Sequence, residues 1–183
     1  MFISWKQLTG VTLLVSLFLL TGLLTTSYAK SRIQLPEASM IQGDKNSIKE
    51  LETFYDGIEE ALSKKDLDAL MTYYADDYNH NGVDKSHLRA LWSKMFARFD
   101  KLYSTHIFSK VEVKGNEAAL KCTGVLMGWP KGGSDFEIVD NWTISPHYMS
   151  KKSGTWKIVG GATRWHEEEK VPGEYRLEFH PFF

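Results

Sequence analysis

A carboxylate stands where the alternation of a strand calls for an apolar residue. In the run from Phe136 to Ile144 the even positions are Phe136, Ile138, Asp140, Trp142 and Ile144, so a regular strand gives Asp140 one face in common with four apolar side chains. Burial without a partner raises a carboxyl pKa and fits the group for general acid or base work. The structural alternative is an ion pair or hydrogen bond to Arg164 on a neighbouring strand, which would hold the sheet together. His80, preceded by Asp76, Asp77, Tyr78 and Asn79, is a second group able to act as acid, base or hydrogen-bond donor. Its plain alternative is to satisfy the backbone of a turn. Tyr55, Tyr74, Tyr78, Trp92 and Trp142 could wall the same volume, although aromatics at helical spacing ordinarily form core. His106 lies on a strand of mixed polarity and could face either way.

The remaining chemistry is thin. None of the six histidines forms a close His-x-His or His-x-x-x-His pair, and Asp77-x-x-His80 and His166-Glu167 are only fragments of ligand sets, so no metal site is expected. With no Walker loop, Gly-x-Ser-x-Gly elbow or dinucleotide fingerprint, no cofactor is expected either. Cys122 is the single cysteine, which excludes an internal disulfide, and within a strand-like run it reads as a small buried hydrophobe. Asn141-Trp142-Thr143 is a glycosylation sequon, meaningful only in a eukaryotic source.

These side chains need elements to position them. From Asp44 onward Ile48, Leu51, Phe54, Tyr55, Ile58 and Leu62 step along one face of a helix, with Glu50, Glu52, Glu59, Glu60 and Lys64 assigned to the others. Asp66 caps a short second helix carrying Leu67, Leu70, Met71 and Tyr74. Leu88, Leu91, Trp92, Met95 and Phe99 mark a third, capped near Asp84 or Ser86. The period then changes to two: Tyr103, Thr105, Ile107, Val111 and Val113 alternate up to a Lys114-Gly115-Asn116 turn, and strands follow over Ala118 to Trp129, Phe136 to Tyr148 and Thr155 to Glu167. Gly160-Gly161 predicts a bulge or bend in the last of these. Helices first and consecutive strands after them indicate an α+β domain.

The Asp66 helix, the Asp76-Asp77-Tyr78 turn, the polar insert ending in Gly82 and the aromatic-rich third helix resemble the nuclear transport factor 2-like superfamily, with its SnoaL-like members. Asp140-Asn141-Trp142-Thr143 and Gly154-Thr155-Trp156-Lys157-Ile158-Val159 look like that fold's last two strands, and the order of elements agrees over about Asp44 to Glu168. The resemblance implies three N-terminal helices packed in the concave face of a curved antiparallel sheet, a cone with a pocket inside. Members include dehydratases, isomerases, cyclases, epoxide hydrolases and proteins that only bind or dimerise, and the fold does not choose among them. Two functions follow: a small-molecule-binding or interaction domain, or a cofactor-independent lyase, isomerase or hydrolase using Asp140, His80 and a tyrosine.

Residues 1–29 read as a signal peptide, with Lys6 ahead of an apolar Leu8 to Leu24 core and Ser27-Tyr28-Ala29 as cleavage pattern; the rival reading is a retained anchor, for which the apolar run is short. Export to periplasm or medium is the expectation, with no stable membrane anchor after cleavage. Residues 30–43 read as a linker, 44–168 as the domain and 169–183 as an extension forming an edge strand or an arm onto a partner. The formal charge is −1, and losing Lys6 makes the mature chain one unit more negative; without a basic cluster it is a poor nucleic-acid partner. A small apolar ligand and a second copy of the chain are the expected partners, the copy docking on the outer sheet face through Val125, Met127 and Trp129.

Overall fold

The computed structural model describes residues 33–80 and 82–161. Capping carboxylates set where its helices begin. Asp44 turns its side chain onto the N–H groups of Asn46 and Ser47, each at 3.0 Å, and so starts α1 (Lys45–Lys64) by satisfying donors that a helix leaves open. Lys65 ends α1 in the left-handed region, at φ 53°. Asp66 then caps α2 (Leu67–Met71) by accepting from Ala69 N–H at 2.9 Å. Asp84 starts α3 (Lys85–Arg98) through His87 N–H at 2.8 Å, and these donors hold its carboxyl down at about 2.

Four long or medium strands follow in antiparallel order: β5 (Phe99–Lys114), β6 (Glu117–Pro130), β7 (Glu137–Lys152) and β8 (Thr155–Ile158). Two short ones come from the stretch the sequence reads as linker. β1 (Ile33–Gln34) and β2 (Ile41–Gln42) lie parallel to β5, with Ile33 beside His106 and Ile41 beside Val111. They cover an edge that would otherwise offer a row of open backbone groups, so the sheet is mixed rather than purely antiparallel. A small hairpin of β3 (Asn79–His80) and β4 (Val83–Asp84) separates α2 from α3.

Inserted residues bend the sheet and decide which side chains face inward. Against β6, β5 carries extra residues at Asp100 and Ser109. β7 carries one at Val139, between Ile138 opposite Met127 and Asp140 opposite Leu126, and another before Ser145, where Ile144 has φ 52°. Each insertion reverses the facing of what lies beyond it. Phe136 and Ile138 are therefore exposed on the convex side, at 53% and 60%, whereas Asp140 and Trp142 turn to the side of buried Leu126. The five even positions do not share a face. In β5 the visible alternation of Tyr103, Thr105 and Ile107 is likewise the convex side, and Leu102, Ser104, His106 and Phe108 are the buried set.

The core closes between the concave sheet and the helices, as the α+β cone requires. α1 contributes Leu51, Tyr55, Ile58 and Leu62, α3 contributes Leu88 and Trp92, and the sheet supplies Phe108, Leu120, Leu126, Trp142 and Met149. Glu59, assigned from the sequence to an outer face of α1, is buried instead, because Ser104 and His106 on the sheet offer it partners. β8 ends at Ile158, short of the strand expected to Glu167, and Gly160 and Gly161 follow at φ 65° and 62°. A Cβ on Gly160 would stand 2.5 Å from the Asn79 carbonyl oxygen, so this bend needs glycine to let the β3 hairpin approach. The signal sequence, Arg164 and the C-terminal extension lie outside the described residues, among which no helix is long and apolar enough to cross a membrane.

Candidate functional site

Polar groups gather on the concave face where apolar residues would be the ordinary filling. The register of β5, β6 and β7 sets His106 opposite Gly124, Cys122 between Phe108 and Ser145, and His147 opposite Leu120, so the three side chains occupy diagonal inward positions on adjacent strands. All three are buried, and one ligand-type atom from each lies within 4.8 Å of the others. Cys122 Sγ is 3.5 Å from His106 Nδ1 and accepts from Trp142 Nε1–H at 3.3 Å. Burial pushes the Cys122 thiol up to about 12, so at neutral pH it is protonated.

α1 supplies the other half of the network. Tyr55, buried against the sheet, brings its hydroxyl to 2.9 Å from His147 Nδ1, and burial raises its pKa well above the usual phenol range. One turn further along, Glu59 Oε1 lies 3.4 Å from His106 Nε2 and accepts from the Ser104 hydroxyl. The Tyr55 and His106 rings are 5.3 Å apart, and His106 and Trp142 also 5.3 Å, so the hydrogen-bonding atoms are embedded in aromatic packing. Such a network can hold protons at defined atoms or bind a cation. It is closed on the α1 side: the space among Ile33, Leu35, Leu51, Tyr55 and Phe108 amounts to about 10 Å³.

The residues singled out in the sequence fall into separate groups. Tyr74, Tyr78 and Trp92 meet, with Tyr74 and Tyr78 edge to face at 5.4 Å and Trp92 Nε1–H donating to the Tyr74 hydroxyl at 3.3 Å. Burial raises both tyrosine pKa values, and the Tyr78 hydroxyl has no hydrogen-bond partner among the described residues. Tyr55 and Trp142 belong to the histidine network instead. All five aromatics are core residues. Asp140 is half-buried on the concave side, opposite Leu126, with one carboxylate oxygen out of solvent. His80 sits on β3, beside the chain that leaves β8, where its Nδ1 accepts from Gly161 N–H at 3.2 Å. Burial lowers its pKa. Asp140 lies near the start of β7, and His80 lies beside Gly161, past the end of β8.

Sequence reasoning missed Glu59, Ser104, His147 and the grouping of His106 with Cys122. The usable signal is the parity of the strands: 104, 106 and 108, then 118, 120 and 122, then 145, 147 and 149 are the inward rows, and the first and last each carry a serine and a histidine beside one apolar residue. Ligand spacing rules did not find the set because it comes from three strands, not from one run of chain.

A second feature lies outside the cone. The N-terminal half of α1, the end of α2 and the β7–β8 turn enclose an open groove of about 750 Å³, lined by Lys49, Glu50, Thr53, Tyr73, Trp156 and Lys157 among others. Glu50 is central to its wall: it accepts from Trp156 Nε1–H at 2.9 Å and pairs with Lys151 at 2.7 Å, and Lys151 above all holds its carboxyl below the usual value.

No protein-family model matches the chain, and no curated protein matches it. Solved structures do. A conserved protein from Planctomyces limnophilus superposes with a TM-score of 0.56 at 14% identity, over 64% of this chain and 94% of that one. A candidate aromatic ring hydroxylase from Novosphingobium aromaticivorans gives 0.55 at 16% identity, over 65% and 88%. A candidate scytalone dehydratase from the same organism gives 0.51 at 13%, over 63% and 80%. At these identities the likeness is one of fold: the chain has the cone-shaped nuclear transport factor 2-like fold.

Proposed function

We propose that the chain is an exported binding or interaction domain, dimeric, whose small-molecule contact is made in the groove beside α1 and not in the depth of the cone. The observation that carries this reading is where room exists. Among the described residues the aromatics that would wall an internal pocket are packed into two core groups, while about 750 Å³ lies open at Tyr73 and Trp156. Aromatic surface with Lys49, Lys157 and threonine hydroxyls around it suits a small amphipathic molecule with a flat face. Titrating labelled protein with a library of small aromatic and sugar fragments tests this. Shifts at the Trp156 indole N–H support it; shifts at the Trp92 and Trp142 indoles overturn it.

The convex face supports the dimer. Ile107, Phe136, Ile138 and Ile144 are each about half exposed or more, at 48, 53, 60 and 50%, and Val125, Met127 and Trp129 lie between them in the register. Apolar side chains interspersed with Lys101, Thr105, Thr123 and Asn141 make a sheet face that a second copy could bury.

A cofactor-independent lyase, isomerase or hydrolase is the second reading. It draws on the name of one neighbour of the same fold, the candidate dehydratase, and on Asp140, turned to the concave side by the Val139 insertion. In that reading Asp140 and His80 are the acid-base pair, and Asp140→Asn abolishes turnover without loss of fold.

A further inference from the structure

The buried group on β5, β6 and β7 has no part in a groove-binding function. We propose that it is a site for one thiophilic transition-metal ion, copper(I) or zinc(II), held by Cys122 Sγ, His106 Nδ1 and His147 Nε2. The inference is independent of where an organic ligand binds.

Spacing is the first argument. Bonds of about 2.3 Å to sulfur and 2.0–2.1 Å to imidazole nitrogen, at near-tetrahedral angles, set the two donor atoms roughly 3.6 Å apart. Cys122 Sγ and His106 Nδ1 already stand 3.5 Å apart, and a ring nitrogen of His147 completes a set of ligand atoms within 4.8 Å of one another. Closing the rest asks for side-chain movement on the order of 1 Å, on β5 and β7, which are both held in register by β6.

Orientation is the second. Histidines that bind metals engage their other ring nitrogen with an oxygen group, which sets the tautomer and the ring plane. The His147 ring does so here by a hydrogen bond, and the His106 ring brings its opposite nitrogen near a carboxylate without hydrogen-bond geometry. His106 turns Nε2 to Glu59 Oε1 at 3.4 Å and Nδ1 to the sulfur. His147 turns Nδ1 to the Tyr55 hydroxyl at 2.9 Å, which assigns Nε2 as its ligand atom. Trp142 Nε1–H, 3.3 Å from the sulfur, is a donor suited to a thiolate.

Charge is the third. On binding, the Cys122 thiol loses its proton to solvent and the sulfur binds the ion as thiolate. Copper(I) takes the place of the thiol proton and leaves the charge of the buried site unchanged, whereas zinc(II) with one thiolate adds a single positive charge, placed beside the Glu59 side chain that approaches His106. Three donors satisfy copper(I), while zinc(II) would draw a fourth ligand from water.

The test uses the full chain, reduced, with copper(I) and zinc(II) in separate arms, each added both to folded protein and during refolding so that closure of the cone is no barrier. One equivalent of either ion retained through competition with a chelator is expected. Cys122→Ser and His147→Gln should lower affinity at least 100-fold, and Tyr55→Phe about 10-fold as the support of a ligand. Because those variants could fold poorly, cobalt(II) on the unmodified chain gives a second readout: a sulfur-to-cobalt charge-transfer band requires Cys122 as ligand. Retention of neither ion, retention undiminished in a folded Cys122→Ser, or cobalt binding without that band overturns the proposal.

Discussion

Gly124→Ala and Gly57→Ala each place a methyl group 2.1 Å from an oxygen, and they should have opposite outcomes. At Gly124 the oxygen is the Thr105 carbonyl of the neighbouring strand, and Trp142 Cζ2 and Cε2 stand at 2.5 and 2.7 Å. Relief means parting β5 from β6 or expelling Trp142, which packs on His106 and donates to Cys122. Overpacking of a filled core costs about 1–3 kcal/mol. Because backbone cannot swing aside, a value at the upper end, about 3 kcal/mol, is expected, a fall in Tm of roughly 6–12 °C for a domain of this size. At Gly57 the oxygen is the tip of Tyr73, a half-exposed side chain free to rotate, at the loss of part of its 5.1 Å edge-to-face contact with Phe54. Alanine within a helix meanwhile gains up to about 1 kcal/mol over glycine. Gly57→Ala should leave the melting temperature unchanged or raised by a few degrees. Thermal melts and urea midpoints, with tryptophan fluorescence reporting Trp142, provide the comparison. Equal losses in the two variants would refute the distinction between backbone and side-chain obstacles on which it rests.

Tyr55→Phe removes the hydroxyl from His147 Nδ1 in a buried setting and should cost about 1–3 kcal/mol by urea unfolding; a neutral result would mean that the imidazole is satisfied without it. His80 is held neutral by burial, so its folded pKa lies below the unfolded value of about 6.5. Its contribution to stability is complete above that unfolded value and is lost as pH falls through the folded pKa, with Gly161 N–H losing its acceptor. The decline in urea midpoint between pH 7.5 and 4.5 should be shallower in His80→Gln, and parallel curves would exclude His80 as a cause. Ile138→Lys should dissociate the proposed dimer in sedimentation while leaving the fold intact, since its side chain is exposed on the convex face; a monomeric parent chain would dispose of that interface.

How far the sequence revealed this arrangement depended on whether a signal was local. Asp44, Asp66 and Asp84 each announce a helix by their own side chain, and each does start one. The order of helices and strands, and through it the cone, followed from those starts and from the change of period after Phe99. Facing was another matter. An alternation shows two faces without saying which is buried, and in β5 the more apolar row, Tyr103, Thr105 and Ile107, covers the outside. Nor does an inserted residue declare itself: Val139 is an ordinary strand residue, yet it divides Phe136 and Ile138 from Asp140 and Trp142. The histidine network combined both difficulties, since its members become neighbours only through the pairing of three strands and the descent of α1 onto them.

The pairing of Glu59 with His106 offers a measure of what that descent contributes. A carboxylate this buried stays in the core only if the sheet answers it, and Ser104 and His106 do so from two inward positions of β5. Removing one member of a buried polar pair leaves the other facing a medium that cannot solvate it, so Glu59→Leu and His106→Leu should each cost about 1–3 kcal/mol. The double variant leaves neither group behind. With two leucines able to pack between Ile58 and Phe108, it should cost much less than the sum, and the coupling energy from the four urea curves should reach about 2–3 kcal/mol. Additive losses would mean that the 3.4 Å approach carries no interaction. The Cys122 side of His106 would then be the part that fixes its position.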